Sequence, residues 1–121
     1  MHPLIIEPTD ETPHVILDKK NARFEISGRS LPEDSAEFFQ PILTWIGQYA
    51  AEPNQKTEFI FKLDYFNTAS SKFIHEILIL LQPVNGVKIV WCHQADDENM
   101  MEAGTEFAEQ VDIPFEIKGY S

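Results

Sequence analysis

The sequence predicts an α/β fold, with helices packed on a mixed β-sheet and elements in the order β-β-α-β-α-β-α-β. Three observations lead there. Short apolar runs rich in β-branched and aromatic residues alternate with amphipathic stretches at helical spacing. Pro, Gly, Asn and Asp fall between these runs as turn signals, with no linker, repeat or low-complexity tract. At 121 residues and 43% hydrophobic, the chain has the size of one compact domain, 1–121, and enough apolar mass to build its core.

Taken in order, Leu4-Ile5-Ile6 is a short apolar run followed by a polar turn from Pro8 to Pro13. His14-Val15-Ile16-Leu17-Asp18 reads as a strand, Lys19-Lys20-Asn21 as a turn, and Ala22 to Gly28 as a half-buried strand, so the two strands form a hairpin. Arg29 to Asp34 is a loop in which Ser30-Leu31-Pro32-Glu33 has capping-box spacing and Asp34 is a second cap candidate. A helix runs from there to about Ala51, with Phe38, Ile42, Trp45, Ile46 and Tyr49 on one face. Pro41 lacks a backbone donor, which predicts a kink or a late start.

After a turn at Glu52 to Lys56, Thr57 to Phe66 alternates Phe59, Phe61, Leu63 and Tyr65 against Ile60, Lys62 and Asp64, as a central strand does. A second helix spans about Ser70 to Leu81, with Phe73, Ile74, Ile77, Leu78 and Leu81 inward, and Pro83 and Gly86 stop it. Val87 to His93 is a further buried strand. Asp96 or Asp97 opens a third helix with a buried stripe of Met100, Gly104, Phe107, Ala108 and Val111. Pro114 ends that helix, and Phe115 to Lys118 is the last strand.

Composition narrows the function. Nine Lys+Arg stand against twenty Asp+Glu, a formal net charge of −11. Such a surface repels phosphate backbones and anionic lipid, so neither nucleic acid nor membrane is an expected partner, whereas basic protein surfaces are attracted. The single cysteine, Cys92, permits no internal disulfide, and no signal-peptide pattern or membrane-length apolar run is visible; the expected setting is the cytoplasm.

The most informative stretch is Leu63-Asp64-Tyr65-Phe66-Asn67-Thr68-Ala69-Ser70-Ser71-Lys72, where a strand gives way to a helix. A hydroxyl at such a junction is open to a modifying enzyme and lies over the positive end of the helix, where a phosphate meets free N–H groups. Thr68 is the first candidate for phosphorylation, with Ser70 and Ser71 as alternative acceptors. Lys72, one turn on, is placed to pair with a phosphate. The simpler reading makes Thr68 a plain N-cap.

Other constellations are weaker. Asp96, Asp97, Glu98, Glu102, Glu106, Glu109, Asp112 and Glu116 form an acidic stripe with no Lys or Arg between Lys88 and Lys118. It is either a solvated face or a docking face for a basic partner. Cys92, His93, Asp96 and Asp97 fit no zinc or EF-hand spacing, so no metal or other cofactor is expected. No nucleophile elbow or Gly-rich phosphate loop is present, and Cys92 reads as core while His75 reads as a solvated residue on the polar side of its helix.

Three blocks in order resemble one family. They are Ser30-Leu31-Pro32-Glu33-Asp34-Ser35 with Phe38; Tyr65 through Lys72; and Trp91, Asp96 to Gly104, Phe107 and Pro114-Phe115. From about Thr12 to the C-terminus the chain resembles the SiaC family of bacterial regulatory phosphoproteins. The resemblance implies a STAS-like fold, that of anti-sigma-factor antagonists, and a partner-switching role without catalysis. It implies that Thr68 is phosphorylated by a Ser/Thr kinase of histidine-kinase-like fold and dephosphorylated by a PP2C-type phosphatase. The unphosphorylated protein would then bind and stimulate a diguanylate cyclase, promoting aggregation and biofilm formation. Asn67, Ser70, Ser71 and Lys72 would shape the recognition surface, with Glu33, Asp34, Asp96, Asp97 and Glu98 as further partner contacts. Ala69 stands where the family pattern leads one to expect Ser, and Cys92-His93-Gln94 stands where a more aromatic and acidic segment is expected. Competing readings are an anti-sigma-factor antagonist acting on transcription, a small hydrolase pairing a His with Ser or Cys, and an acidic adaptor in which Thr68 only caps a helix.

Overall fold

The apolar runs pair into a single six-stranded sheet in the order β1-β2-β3-β4-β5-β6. The computed structural model describes every residue, Met1–Ser121. Its strands are β1 Leu4–Ile6, β2 His14–Asp18, β3 Arg23–Ser30, β4 Thr57–Phe66, β5 Val87–Gln94 and β6 Phe115–Tyr120. Its helices are α1 Ser35–Ala51, α2 Thr68–Leu81 and α3 Glu98–Gln110. The α/β class and the mixed sheet are as the sequence predicts, with one strand more. Leu4-Ile5-Ile6 pairs antiparallel with β2, Leu4 opposite Leu17, and extends the expected hairpin to a meander.

From β3 onward each strand is joined to its parallel neighbour through one helix, and every step moves the same way across the sheet. Right-handed crossovers taken in one direction put all their helices on one face. The burial pattern agrees. Val15, Leu17, Phe24, Ile26, Phe59, Phe61, Leu63, Ile89 and Trp91 are buried on the helix side, while Glu58, Lys62 and Asp64 of β4 are exposed on the other. The protein is thus two layers, helices over sheet, with an open sheet face. Each fully buried Phe or Leu in the covered layer contributes about 1.5–3 kcal/mol of transfer free energy.

Local details depart from the periodicity in four places. In β4 the alternation holds to Leu63 and then breaks: Tyr65 is 49% exposed, and Phe66 turns inward against Trp91 and Phe107. The cause is a register shift, with Gly28 opposite Leu63 but Arg29 opposite Tyr65, so Asp64 is an extra residue that reverses the faces beyond it. In α1 the cap is Asp34, whose side chain accepts the Glu37 N–H at 3.0 Å; Ser30 is the last residue of β3. Pro41 neither delays nor interrupts the helix, and Phe39 rather than Phe38 is the fully buried ring. Phe38 is half-buried, edge-on to Phe39 at 5.1 Å. In α2 the helix starts two residues earlier than expected, and Phe73 is half-buried, stacked on Phe39 at 5.2 Å. In α3 only Met100, Gly104 and Phe107 of the stripe are fully buried. Gly104 is needed for close approach, since a Cβ there would lie 2.4 Å from Trp91 Cδ1.

Candidate functional site

Because β3, β4 and β5 run parallel, their carboxyl ends share one edge of the sheet. In such sheets the loops at that edge carry the ligand- and partner-binding residues. All the candidate residues lie there. Glu33 and Asp34 lead into α1, Asn67 leads into α2, and Asp96 and Asp97 lead into α3.

The start of α2 is built from Asn67 and Ser30. The Asn67 N–H donates to the Ser30 carbonyl at 3.0 Å, and Asn67 Oδ1 accepts the Ser70 N–H at 2.8 Å. Asn67 is therefore the N-cap and Thr68 the first helical residue, which corrects the reading of Thr68 as the cap. Thr68 is exposed, and no protein group binds its hydroxyl.

The two alternative acceptors are engaged. Ser70 is 0% exposed; its hydroxyl donates to the Ser30 carbonyl at 2.9 Å and lies 2.8 Å from Ser30 Oγ. Ser70 is thus withdrawn from the exposed recognition surface expected for it. Ser71 is half-buried, and its Oγ donates to the Thr68 carbonyl at 2.6 Å.

The charges around this turn differ from those of the other helix starts. Asp34 caps α1 with Glu37 in its first turn, and Asp97 caps α3 with Glu98 in its first turn. The α2 start has a neutral cap and no acid in its first turn. Carboxylates at a helix N-terminus offset its positive end, so that end is compensated at α1 and α3 and left free at α2. Lys72 is the single Lys or Arg in all three helices, which also carry Glu37, Glu76, Glu98, Glu102, Glu106 and Glu109. Its ammonium is in no ion pair; the molecule's one salt bridge, Lys88 to Glu116 at 2.6 Å, lies on the open face.

Between α2 and α3 lies an open groove of about 610 Å³. Phe66, Ala103 and Phe107 give it an apolar floor; Asn67, Thr68, Ser71 and Lys72 form one wall, and Glu106 and Gln110 the other. His75 is half-buried on the surface of α2 and reaches across to α3, its Nδ1 3.2 Å from Gln110 Oε1 in a solvent-exposed contact. The α3 wall is held by the Trp91 Nε1–H, which donates to the Met100 carbonyl at 2.9 Å. Sequence reasoning missed His75, Glu76 and Gln110 as parts of this site, because their convergence depends on how two helices pack.

The remaining candidates stand on the same edge but outside the groove. Asp34 and Asp97 are engaged as caps, Asp97 Oδ1 accepting the Met100 N–H at 3.0 Å, and Asp96 and Glu98 are exposed. Glu33 borders a separate depression with Thr9, Asp10, Glu11, Thr12 and Pro32. Cys92 is half-buried, and burial pushes its thiol up, away from the reactive range. His93 is buried, with Nδ1 2.7 Å from the Gln94 carbonyl oxygen, and no three His, Cys, Asp or Glu side chains converge as a metal-binding group. No helix is long and apolar enough to cross a membrane.

Comparison with known proteins identifies this architecture. Residues 6–120 match the family model of the SiaC family regulatory phosphoproteins. An uncharacterised protein of Pseudomonas aeruginosa (strain UCBPP-PA14) is 31% identical over 124 residues, covering 99% of this chain and 98% of that protein. The crystal structure of apo-SiaC from Pseudomonas aeruginosa superposes with a TM-score of 0.89 at 32% identity, over 98% of this chain and 100% of that one. A chain in the crystal structure of the diguanylate cyclase SiaD in complex with its activator SiaC, also from Pseudomonas aeruginosa, superposes with a TM-score of 0.91 at 30% identity. That match covers 97% of this chain and 99% of the other. The chain, matched by the family model over nearly its whole length and sharing the fold of these structures, belongs to the SiaC family of regulatory phosphoproteins.

Proposed function

We propose that this protein is a non-enzymatic, cytoplasmic partner switch whose state is set by phosphate on Thr68. A Ser/Thr kinase of histidine-kinase-like fold adds the phosphate and a PP2C-type phosphatase removes it. The unphosphorylated form binds a diguanylate cyclase and raises cyclic-di-GMP synthesis, and with it aggregation and biofilm formation. The observation that carries this reading is the start of α2. Thr68 is the one exposed, unengaged hydroxyl of its turn, at the one helix start in the molecule that lacks a compensating acid. Support for a cyclase as the output comes from the relative that was crystallised with SiaD as its activator.

The chemistry of the switch follows from charge. A phosphate on Thr68 meets the N–H groups of the first turn and the positive end of α2, so the helix holds it without refolding. One turn on, Lys72 is within reach, since residues four apart share a helix face. The phosphate then offsets the single cation of the helix layer, and the face offered to the output partner becomes acidic throughout. Such a change breaks contacts with any partner group that had met Lys72 or the bare helix end.

The test is a reconstituted cyclase assay. The unmodified protein and Thr68→Ala should both stimulate cyclic-di-GMP synthesis, and the Thr68-phosphorylated protein should bind at least tenfold more weakly. Equal binding of the phosphorylated and unmodified forms would contradict the proposal. Capture of an anti-sigma factor in place of a cyclase would redirect the output to transcription.

A further inference from the structure

We infer that the buried hydroxyl pair Ser30–Ser70 is a clamp that selects the acceptor, withholding Ser70 and holding Thr68 outward. The inference rests on the reading of Thr68 as the phosphate acceptor. Ser30 and Ser70 are 1% and 0% exposed, and they come from segments forty residues apart. The Ser70 hydroxyl has one proton, and it goes to the Ser30 carbonyl at 2.9 Å. The 2.8 Å contact between the two Oγ atoms therefore takes its proton from Ser30. The same Ser30 carbonyl also accepts the Asn67 N–H at 3.0 Å. One residue at the end of β3 thus anchors α2 at its cap and again at its third residue. Thr68 and Ala69, between the two anchors, are both exposed.

The β4 register shift aims the clamp. An unbroken ladder would set Ser30 opposite Tyr65; the extra residue sets it opposite Phe66, the neighbour of Asn67. Bulges commonly re-aim a side chain in this way. Ser70, with its proton and an acceptor site both committed, offers neither an accessible nor a free nucleophile, although it lies only two residues from Thr68.

The test uses Ser30→Ala, Ser70→Ala and the double variant, each incubated with ATP and the Ser/Thr kinase, with the phosphate located by tandem mass spectrometry. Wild type should carry it on Thr68 alone. Ser30→Ala removes the Oγ–Oγ contact and leaves the Ser70 hydroxyl held by the residue-30 carbonyl alone. In a variant shown to be folded by circular dichroism, the loosened turn should therefore lower Thr68 modification several-fold and let some phosphate reach Ser70. Stability should follow a definite order. Ser70→Ala leaves the Ser30 proton buried without an acceptor and should melt lowest, below the double variant, in which both hydroxyls are gone. If folded Ser30→Ala is modified on Thr68 alone at the wild-type rate, or if the double variant melts below Ser70→Ala, the clamp is overturned while the Thr68 switch stands. A wild type that takes no phosphate on Thr68 overturns the switch, and the clamp's selecting role with it.

Discussion

The starts of α2 and α3 occupy the same edge of the sheet and are built with opposite chemistry. At α3 the Asp97 carboxylate caps the helix and Glu98 follows, so two negative charges meet the positive helix end. The start of α1 repeats that plan with Asp34 and Glu37. At α2 the cap is the neutral Asn67, no acid follows in the first turn, and Lys72 stands one turn on from Thr68. In a chain with twenty acidic residues, the uncompensated helix end is the one with an exposed threonine. Both caps satisfy backbone donors equally well: Asn67 Oδ1 takes the Ser70 N–H at 2.8 Å and Asp97 Oδ1 takes the Met100 N–H at 3.0 Å. The difference is therefore one of charge. The α1 and α3 starts are finished for stability, and the α2 start is left able to accept an anion.

The largest effect expected on this comparison comes from unseating α3. Gly104→Ala forces a methyl into the Trp91 indole and should cost about 1–3 kcal/mol in denaturant melts. A neutral result would mean that α3 is free to shift and that the groove wall is not fixed. Next come the caps. Asp97→Ala should cost about 1 kcal/mol, and Asp97→Asn much less. Asn67→Asp should raise stability by a few tenths of a kcal/mol through the helix dipole while slowing phosphorylation of Thr68 several-fold. If Asn67→Asp is phosphorylated as fast as wild type, the contrast between the two helix starts has no functional meaning.

A smaller effect is expected from Lys72→Gln. Stability should change by less than about 0.5 kcal/mol, because the side chain is exposed and unpaired. What should change is the partner's response, with phosphorylation weakening cyclase binding less than in wild type, and the salt dependence of that binding becoming shallower.

The smallest effect belongs to the open face. Pairing with Lys88 holds the Glu116 carboxyl below its ordinary range, and pairing with Glu116 raises the Lys88 ammonium above its own. The Glu116 contribution is present above the unfolded carboxylate pKa and lost as pH falls through the folded value. The Lys88 contribution is present below the unfolded lysine pKa and lost as pH rises through the folded value. Both groups are exposed, so thermal melts of Glu116→Gln should run slightly below wild type near neutral pH and converge with it at the acid and alkaline extremes.

Most of this architecture was legible because the signals were local. Period-two alternation marked β4 as far as Leu63, and helical spacing marked the buried faces of α1 and α2. The break at Tyr65 was not legible, because a register shift is a property of two strands and leaves no mark in either one. The misplaced caps have the same origin. Ser30 has good capping chemistry, but it is claimed by β3, where it pairs with Phe66, and that leaves Asp34 as the cap of α1. At the second junction Asn67 and Thr68 are both good caps by residue type. The choice falls on Asn67 because its N–H reaches the Ser30 carbonyl while its side chain reaches the Ser70 N–H. The exposed hydroxyl could be guessed from the strand-to-helix junction. The engagement of its competitors, Ser70 by Ser30 and Ser71 by the Thr68 carbonyl, required the fold.

The central claim is that Thr68 is where phosphate is written and erased. Intact-protein and peptide mass spectrometry on protein isolated from its native host, before and after a PP2C-type phosphatase, tests it most directly. The account predicts phosphate on the Thr68 peptide, confined to Thr68 and removed by the phosphatase. Phosphate confined to Ser71, or none even after incubation with the kinase and ATP, would contradict it and return Thr68 to the role of an ordinary first residue of a helix.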